Sequence, residues 1–316
     1  MSDIKLFSLG ENQVRELAGS SALLEKDLQN LIESQMETFL GVRFLASEYS
    51  TGKTHKGRID SLGLDENNCP VIIEYKRHSN ENVINQGLFY LDWLLDHQAE
   101  FQLLVMKQLD RDVTESIEWG GTRLICIAAD FNKYDEHAVQ QINRNIELMR
   151  YRYFGDDLLL LELVNAQSAS GNSTNKVTAS PTTKSEPQVS SKSSTRSDTH
   201  QDRINQASPE LLALYNKVCD YADSLGDEVQ RKELKFYTAF KRIKNFASVL
   251  VWAPVRDPCI RLYLKLDPDS VIMEPNFTHD VREKGHWGTG DFEVIIKDMA
   301  DFDKATPLIE QSYLSS

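Results

Sequence analysis

The feature that most constrains this chain is a polar stretch that interrupts it just beyond the midpoint. From Ala166 to about Arg203 the sequence is largely Ser, Thr, Asn, Gln and isolated Lys, with almost no large apolar side chain. Such a composition cannot bury enough surface to offset the entropy lost when a chain becomes ordered. The stretch predicts a flexible linker over 166–204, between a first domain over 1–165 and a second over 205–316.

Both flanks have the length and composition of globular domains. The chain has 316 residues, of which 41% are hydrophobic. No apolar run approaches the roughly 20 residues that cross a bilayer, and Met1 to Gly10 lack the pattern of a secretory signal. The sequence therefore predicts a cytoplasmic protein that does not enter a membrane. Its net charge of −13 means that any contact with nucleic acid must use local basic patches.

In the first domain, helical periodicity alternates with short apolar runs. Helices are expected over 23–40, 81–97, 101–109 and 136–153, and buried strands over 122–129 and 158–164. This alternation predicts an α/β fold, in which a mixed sheet is covered by helices on both faces.

Two further apolar runs, Gly57 to Leu64 and Pro70 to Lys76, are joined by a polar segment and have the pattern of a β-hairpin. Side chains alternate along a strand, so Glu74 and Lys76 share one face. Residue 67 lies midway between Asp60 and Glu74 and also at the middle of the turn. A symmetric hairpin therefore places Asp60 directly across from Glu74.

Two carboxylates that converge in an apolar sheet need a counter-charge. A hard divalent cation, Mg²⁺ or Mn²⁺, fits this need because it prefers oxygen ligands. The bound metal would polarise a phosphate and lower the pKa of a water, and Lys76 would stabilise the developing negative charge. The pattern predicts phosphodiester hydrolysis; the alternative is a structural charge cluster.

Other polar residues are expected at the same site. Gln86 and Tyr90 are four apart on an otherwise apolar helix and share one face. Glu25 lies at the edge of the apolar stripe of the first helix and is the better candidate for an additional metal ligand, whereas Glu33 is expected to point further away.

A basic run precedes Asp60 and could hold phosphates that flank a cleaved bond. It consists of Lys53, His55, Lys56 and Arg58, and Arg77 extends it beyond Lys76. A solvated loop explains the same residues equally well.

The order Gly57-Arg58-Ile59-Asp60, then Glu74-Tyr75-Lys76, then Gln86 and Tyr90, resembles the PD-(D/E)XK nuclease superfamily. Within it, the chain is most similar to the branch that contains the archaeal and actinobacterial mismatch endonucleases. The resemblance covers roughly Glu25 to Val164. It implies a restriction-endonuclease-like mixed sheet flanked by helices, with Asp60 and Glu74 as Mg²⁺ ligands, Lys76 as the catalytic lysine, and Gln86 and Tyr90 as accessory residues.

The second domain reads as a small α+β module. Arg261, Tyr263 and Lys265 alternate with apolar residues, which gives a basic face that could stack a base or pair phosphates, and Trp287 lies in a Gly-rich loop. A solvated sheet face is the favoured explanation of this alternation. The segment from about Gln206 to Tyr313 resembles a domain of unknown function that is found appended to nuclease-like domains.

These observations lead to three hypotheses. The leading one is a Mg²⁺-dependent nuclease that acts on DNA in preference to RNA, with the second domain recruiting substrate or a partner. The first alternative is a catalytically inactive protein of nuclease fold that only binds nucleic acid. The second is a regulatory protein whose second domain binds a nucleotide or protein; a homodimer or a protein partner through that domain is left open.

Overall fold

The computed structural model describes residues 4–10, 13–22, 24–52, 56–77, 83–167, 199–254 and 256–316. Most of the expected linker, residues 168–198, lies outside the described residues. Within the described ranges, no helix is both long enough and apolar enough to cross a membrane.

The first domain is built around a seven-stranded mixed sheet. Its strands are β3 (Gly19–Ser20), β4 (Val42–Ser50), β5 (Arg58–Asp65), β6 (Pro70–Lys76), β7 (Arg123–Ala128), β8 (Asn145–Phe154) and β9 (Leu158–Gln167), and a separate pair is formed by β1 (Leu6–Leu9) and β2 (Val14–Leu17). The sheet order is β3-β8-β7-β6-β5-β4, with β9 also paired to β8. Strands β6, β7 and β8 are parallel, and the remaining pairings are antiparallel.

Six helices accompany this sheet in the described part of the chain. They are α1 (Glu25–Ser34), α2 (Met36–Leu40), α3 (Val83–Asp96), α4 (Gln98–Gln108), α5 (Arg111–Glu115) and α6 (Lys133–Gln140). Two apolar cores result, one on each face of the sheet: α1 and α2 cover one core, and α3 and α4 cover the other. The structure thus confirms the predicted fold class, a mixed sheet flanked by helices.

One predicted helix is wrong. The segment 136–153 divides into α6 and the strand β8, which is ten residues long. Ile146 and Leu148 pack into one core while Met149 and Tyr151 pack into the other, so both faces of β8 are buried and the apolar–polar alternation of a half-exposed strand is lost. Charged residues inside β8 are buried in ion pairs, so they also interrupt the apolar pattern expected of a buried strand.

The second domain is a six-stranded antiparallel sheet with helices on one face. Its elements are α7 (His200–Gln206), α8 (Pro209–Asp223), β10 (Gln230–Glu233), β11 (Thr238–Lys241), β12 (Asn245–Trp252), β13 (Cys259–Leu264), β14 (Thr278–Asp280), β15 (Phe292–Ile296) and α9 (Met299–Leu314). Helix α8 begins at a Ser208 cap followed by Pro209, a combination that favours helix initiation. Its apolar face and that of α9 cover the sheet.

The boundaries of the predicted linker differ at both ends. Residues 166 and 167 complete β9, and α7 begins at His200 after a Thr199 cap. The His200 ring contacts the Tyr215 hydroxyl at 3.4 Å and the Thr238 hydroxyl at 3.2 Å, both in the second domain. The last predicted linker residues are therefore part of that domain's packed structure.

Candidate active site at the open end of the hairpin

The hairpin β5–β6 has the register that symmetry about residue 67 predicts. Ser61 pairs with Ile73 and Leu64 pairs with Pro70, so that Asp60 is the next residue opposite Glu74. At this pair of residues, the backbone amides donate hydrogen bonds to carboxylate side chains instead of to backbone carbonyls. The Tyr75 amide donates to Asp60 Oδ2 at 3.0 Å, and the Asp60 amide donates to Glu74 Oε1 at 3.2 Å. The hairpin therefore brings both acids to its open end.

Glu74 is fully buried, and its Oε1 atom accepts the hydrogen bond from the Asp60 amide. Its Oε2 atom has no hydrogen-bond partner among the described residues. Burial, and then repulsion from Asp60, raises the pKa of Glu74 to about 9, although the Asp60 amide and Lys76 oppose the shift. Burial also raises the pKa of Asp60, against the lowering effect of the Tyr75 amide and Lys76. In the absence of a metal ion, both acids are therefore shifted toward their protonated, neutral forms.

Lys76 lies beside these acids, but its ammonium also contacts Glu25. The distance from Lys76 Nζ to Glu25 Oε2 is 3.3 Å, and the lysine side chain is 14% exposed. Glu25, the first residue of α1, thus reaches the site as an ion-pair partner of the lysine. The structure brings Lys76, Asp60 and Glu74 together, whereas the Glu25 carboxylate is directed to the lysine.

Helix α1 presents a polar row to the hairpin at four-residue spacing. Gln29 follows Glu25 and donates to the Asp60 carbonyl at 2.8 Å and to Glu33 Oε1 at 2.8 Å. Glu33 then accepts from the Ser61 hydroxyl at 2.6 Å. The expectation that Glu33 points away is therefore wrong, because residues four apart on a helix share one face. The sequence patterns did not single out Gln29, which is buried. A polar residue beside Leu28 on the apolar stripe of this helix is the feature that could have identified it.

Glu48 on β4 is a second residue that the sequence patterns did not reveal. Ser47 pairs with Ser61 and Tyr49 pairs with Ile59, which places Glu48 opposite Asp60. Its φ of 51° is in the left-handed region that non-glycine residues rarely adopt. The carboxylate contacts Lys26 and Arg58, each at 3.3 Å, and it raises the pKa of both Asp60 and Glu74.

Tyr90 packs against the backbone at the start of β5. Its hydroxyl accepts from the Arg58 amide at 3.2 Å, and a Cβ atom at Gly57 would overlap the Tyr90 ring. Glycine is required there by this close approach. Gln86 is half-buried one turn earlier on α3. Tyr90 therefore positions the strand that carries Asp60.

The predicted basic run is only partly described. Lys53 and His55 lie outside the described residues. Lys56 and Arg58 are exposed, and Arg58 is paired with Glu48. Arg77 is half-buried at the end of β6. Of this run, Lys56 and Arg58 are the described cations accessible to a phosphate group.

The donor set fits a hard divalent cation with a small number of protein ligands. Across the described ranges, no group of three or more His, Cys, Asp or Glu side chains is arranged to hold a metal ion. Two carboxylates do converge, and one of their buried oxygens has no hydrogen-bond partner there. Mg²⁺ is commonly held by one or two carboxylates, with water and phosphate oxygens completing its shell. The residues present fit that coordination.

In the second domain, the predicted ligand-binding face separates into two parts. Arg261 and Tyr263 lie together, because Arg261 Nη1 and the Tyr263 hydroxyl contact Glu293 Oε1 at 3.4 and 3.1 Å. Trp287 lies beside them and is 39% exposed. Lys265 forms an ion pair with Glu66 of the first domain. The favoured explanation, a solvated sheet face, is wrong for Tyr263, which is buried.

Comparisons with known proteins give the following matches. A family model described as a domain of unknown function, DUF5655, matches residues 200–316. A protein of Haemophilus influenzae, described as an uncharacterized protein, is 26% identical over 317 residues, which is 98% of this chain and 99% of that protein.

Two solved structures also show similarity. A repair endonuclease from Pyrococcus abyssi aligns with a TM-score of 0.28 and 16% identity, over 42% of this chain and 48% of that chain. An EndoMS–dsDNA complex aligns with a TM-score of 0.25 and 15% identity, over 46% of this chain and 64% of that chain. The chain spans less than two thirds of either structure.

Proposed function

We propose that the first domain is a nuclease that hydrolyses phosphodiester bonds in DNA with Mg²⁺ or Mn²⁺ held by Asp60 and Glu74. The observation that carries this proposal is the Glu74 carboxyl. It is buried against a second acid, its pKa is raised to about 9, and its Oε2 atom has no hydrogen-bond partner among the described residues. A side chain in that environment gains most from a cation that the protein itself does not supply.

The side chains around the pair have distinct roles in this proposal. A bound divalent cation would polarise the phosphate and lower the pKa of a water molecule. Lys76, mostly buried and held by Glu25, directs its ammonium toward the charge that develops on the phosphate. Gln29 and Tyr90 fix the backbone on either side of Asp60 through its carbonyl and through the Arg58 amide.

DNA is the substrate that the sequence resemblance implies. Exposed Lys56 and Arg58 would contact phosphates next to the cleaved bond. Because these cations are few and the chain as a whole carries −13, we expect weak binding at physiological salt, with a shallow salt dependence that reflects about two phosphate contacts.

The test compares wild type with Glu74→Gln on single- and double-stranded DNA and RNA, with Mg²⁺ or Mn²⁺. We expect metal-dependent cleavage by wild type and a loss of at least about 100-fold in the variant, which keeps the shape of the side chain but removes its charge. Glu115→Gln, in an exposed ion pair with Arg111, is the matched control and should cleave normally.

One observation favours the alternative of a catalytically inactive nucleic-acid-binding protein. The Lys76–Glu25 ion pair partly neutralises the ammonium that hydrolysis requires. If wild type and Glu74→Gln bind the same nucleic acids and leave all of them intact, the binding role replaces the hydrolytic one.

A further inference from the structure

A cavity of about 470 Å³ lies on the sheet face of the second domain that α8 and α9 leave uncovered. Cross-strand pairing aligns Ser248, Tyr263 and Glu293 in one row beneath it, and Arg261 with Leu250 in the next. The loop 284–287 forms one wall. The volume is in the range of small-molecule binding sites.

The walls of this cavity provide flat aromatic surfaces. The His286 ring stacks on Tyr263 with ring centres 4.7 Å apart and an angle of 22° between the planes. Trp252 and Trp287 line the cavity as well, and the Arg203 guanidinium lies 5.8 and 4.3 Å from their ring centres. Within the protein, Arg261 also lies 4.5 Å from the Trp252 ring centre, and Phe236 stacks on Trp287 with ring centres 5.1 Å apart. Planar rings and guanidinium groups of this kind pack well against a planar heterocycle.

The charge of the walls favours an anion. Among the described residues that line the cavity, Glu293 is the one carboxylate. It is already engaged by Arg261, by the Tyr263 hydroxyl and by His279, whose Nδ1 atom is 3.5 Å away. The lining cations are Arg261 and the exposed Lys284. Because Arg261 is the cation paired with Glu293, the positive charge that remains for a ligand is that of Lys284.

We propose that this cavity binds a nucleotide, with the base against the aromatic walls and the phosphate near Arg261 and Lys284. The required chemistry is a planar heterocycle joined to a phosphate. A free mononucleotide and the unpaired end of a DNA strand both provide it. The proposal does not depend on hydrolysis by the first domain.

The experiment measures binding by calorimetry with the full-length Glu74→Gln variant in EDTA, so that hydrolysis cannot consume the ligand. The probes are AMP, GMP, adenosine, inorganic phosphate and a short single-stranded oligonucleotide. We expect AMP or GMP to bind more tightly than adenosine or phosphate alone, and the preference over adenosine to decrease with salt. Binding of the oligonucleotide without AMP or GMP would identify a strand end as the natural ligand only where Trp287→Leu weakens it, because the first domain is itself proposed to bind DNA.

Variants in the same background locate the site. Trp287→Leu should weaken nucleotide binding at least about fivefold, whereas Trp287→Phe retains an aromatic ring and most of the affinity. Lys284→Gln should weaken binding of AMP but not of adenosine, and Lys107→Gln, at an exposed lysine of the first domain, should change neither. Thermal unfolding confirms that each variant is folded.

Two outcomes overturn the proposal. The first is that no nucleotide or oligonucleotide binds at millimolar concentration. The second is that binding is unaffected in both Trp287→Leu and Lys284→Gln. Neither outcome bears on cleavage by the first domain, which is measured with metal present and wild-type Glu74.

Discussion

The two ends of the β5–β6 hairpin both contain buried acids, and among the described residues they differ in how many cations contact those acids. At the turn, Asp65 is paired with Arg123, and Glu147 on β8 contacts Arg123 Nε at 3.2 Å and Lys241 Nζ of the second domain at 2.5 Å. Burial alone would raise the pKa of Glu147, but Lys241 and Arg123 hold it below its usual value.

At the open end the balance is reversed. Asp60 and Glu74 have raised pKa values, and the nearby Lys76 is shared with Glu25. Buried acids alone therefore do not identify a reactive site. Among the described residues, the two ends differ in how their acids are paired. At the turn, Arg123 and Lys241 form ion pairs with Asp65 and Glu147, whereas at the open end Glu74 Oε2 has no hydrogen-bond partner. An external cation would stabilise the ionised acids at the open end.

The largest effect expected from this comparison is at the turn. Glu147→Gln leaves Arg123 and Lys241 in a buried site with Asp65 as their remaining acid, and it should lower the free energy of unfolding by about 3–5 kcal/mol. Urea denaturation followed by circular dichroism measures this change. The exposed Arg111–Glu115 pair is the control, because Glu115→Gln should cost less than about 1 kcal/mol. If Glu147→Gln and Glu115→Gln lower the free energy of unfolding equally, the buried ion pairs at the turn contribute no more than an exposed pair, and the comparison of the two ends fails.

At the open end, the substitution Glu74→Gln should raise the free energy of unfolding at alkaline pH, whereas Glu147→Gln lowers it at the turn. The pKa of Glu74 rises from 4.5 to about 9 on folding, so the stability it contributes is fully present below about pH 4.5 and is lost as the pH rises to about 9. Glu74→Gln remains neutral throughout. In EDTA at about pH 9 we expect the variant to be more stable than wild type by about 1–3 kcal/mol, with the difference shrinking toward about pH 5.

The same denaturation experiment can contradict this expectation. If Glu74→Gln lowers the free energy of unfolding at about pH 9, the Glu74 carboxylate is satisfied within the folded protein, and the two ends of the hairpin are alike.

The smallest effect per step is on metal binding, about 1.4 kcal/mol for each pH unit. A cation must displace the Glu74 proton, so the apparent affinity for Mn²⁺ should rise about tenfold per pH unit between about pH 7 and 9 and then level off. Calorimetry at a series of pH values measures this slope. Glu74→Gln should bind weakly with no slope, and a wild-type affinity that stays constant over this range would contradict proton displacement.

The sequence was sufficient to predict the hairpin because its signals are local. Alternation placed Glu74 and Lys76 on one face, and the position of the turn fixed the register that brings Asp60 opposite Glu74. Strand β8 was mistaken for a helix because it is buried on both faces. Glu48 gave no signal, since only the pairing of β4 with β5 brings it opposite Asp60.

The contact between the two domains could not be predicted for a different reason. Tyr237 and Asn245 both donate to Asn67 Oδ1, at 3.0 and 2.6 Å, and Lys265 pairs with Glu66. Each of these pairs joins residues that are at least 170 positions apart, and each residue taken alone resembles ordinary surface. The sequence therefore predicts a solvated or ligand-binding position for Lys265, although this residue holds the second domain against the hairpin turn.

The loop 286–288 has a consequence for how this protein can change over evolutionary time. His286 and Trp287 line both the larger cavity and a smaller one, of about 200 Å³, whose lining also includes Glu66, Asn67 and Asn68 of the hairpin turn. A substitution of His286 or Trp287 therefore changes the lining of both cavities. The proposed ligand site and the contact with the hairpin turn thus share His286 and Trp287, so that selection on either one constrains the other.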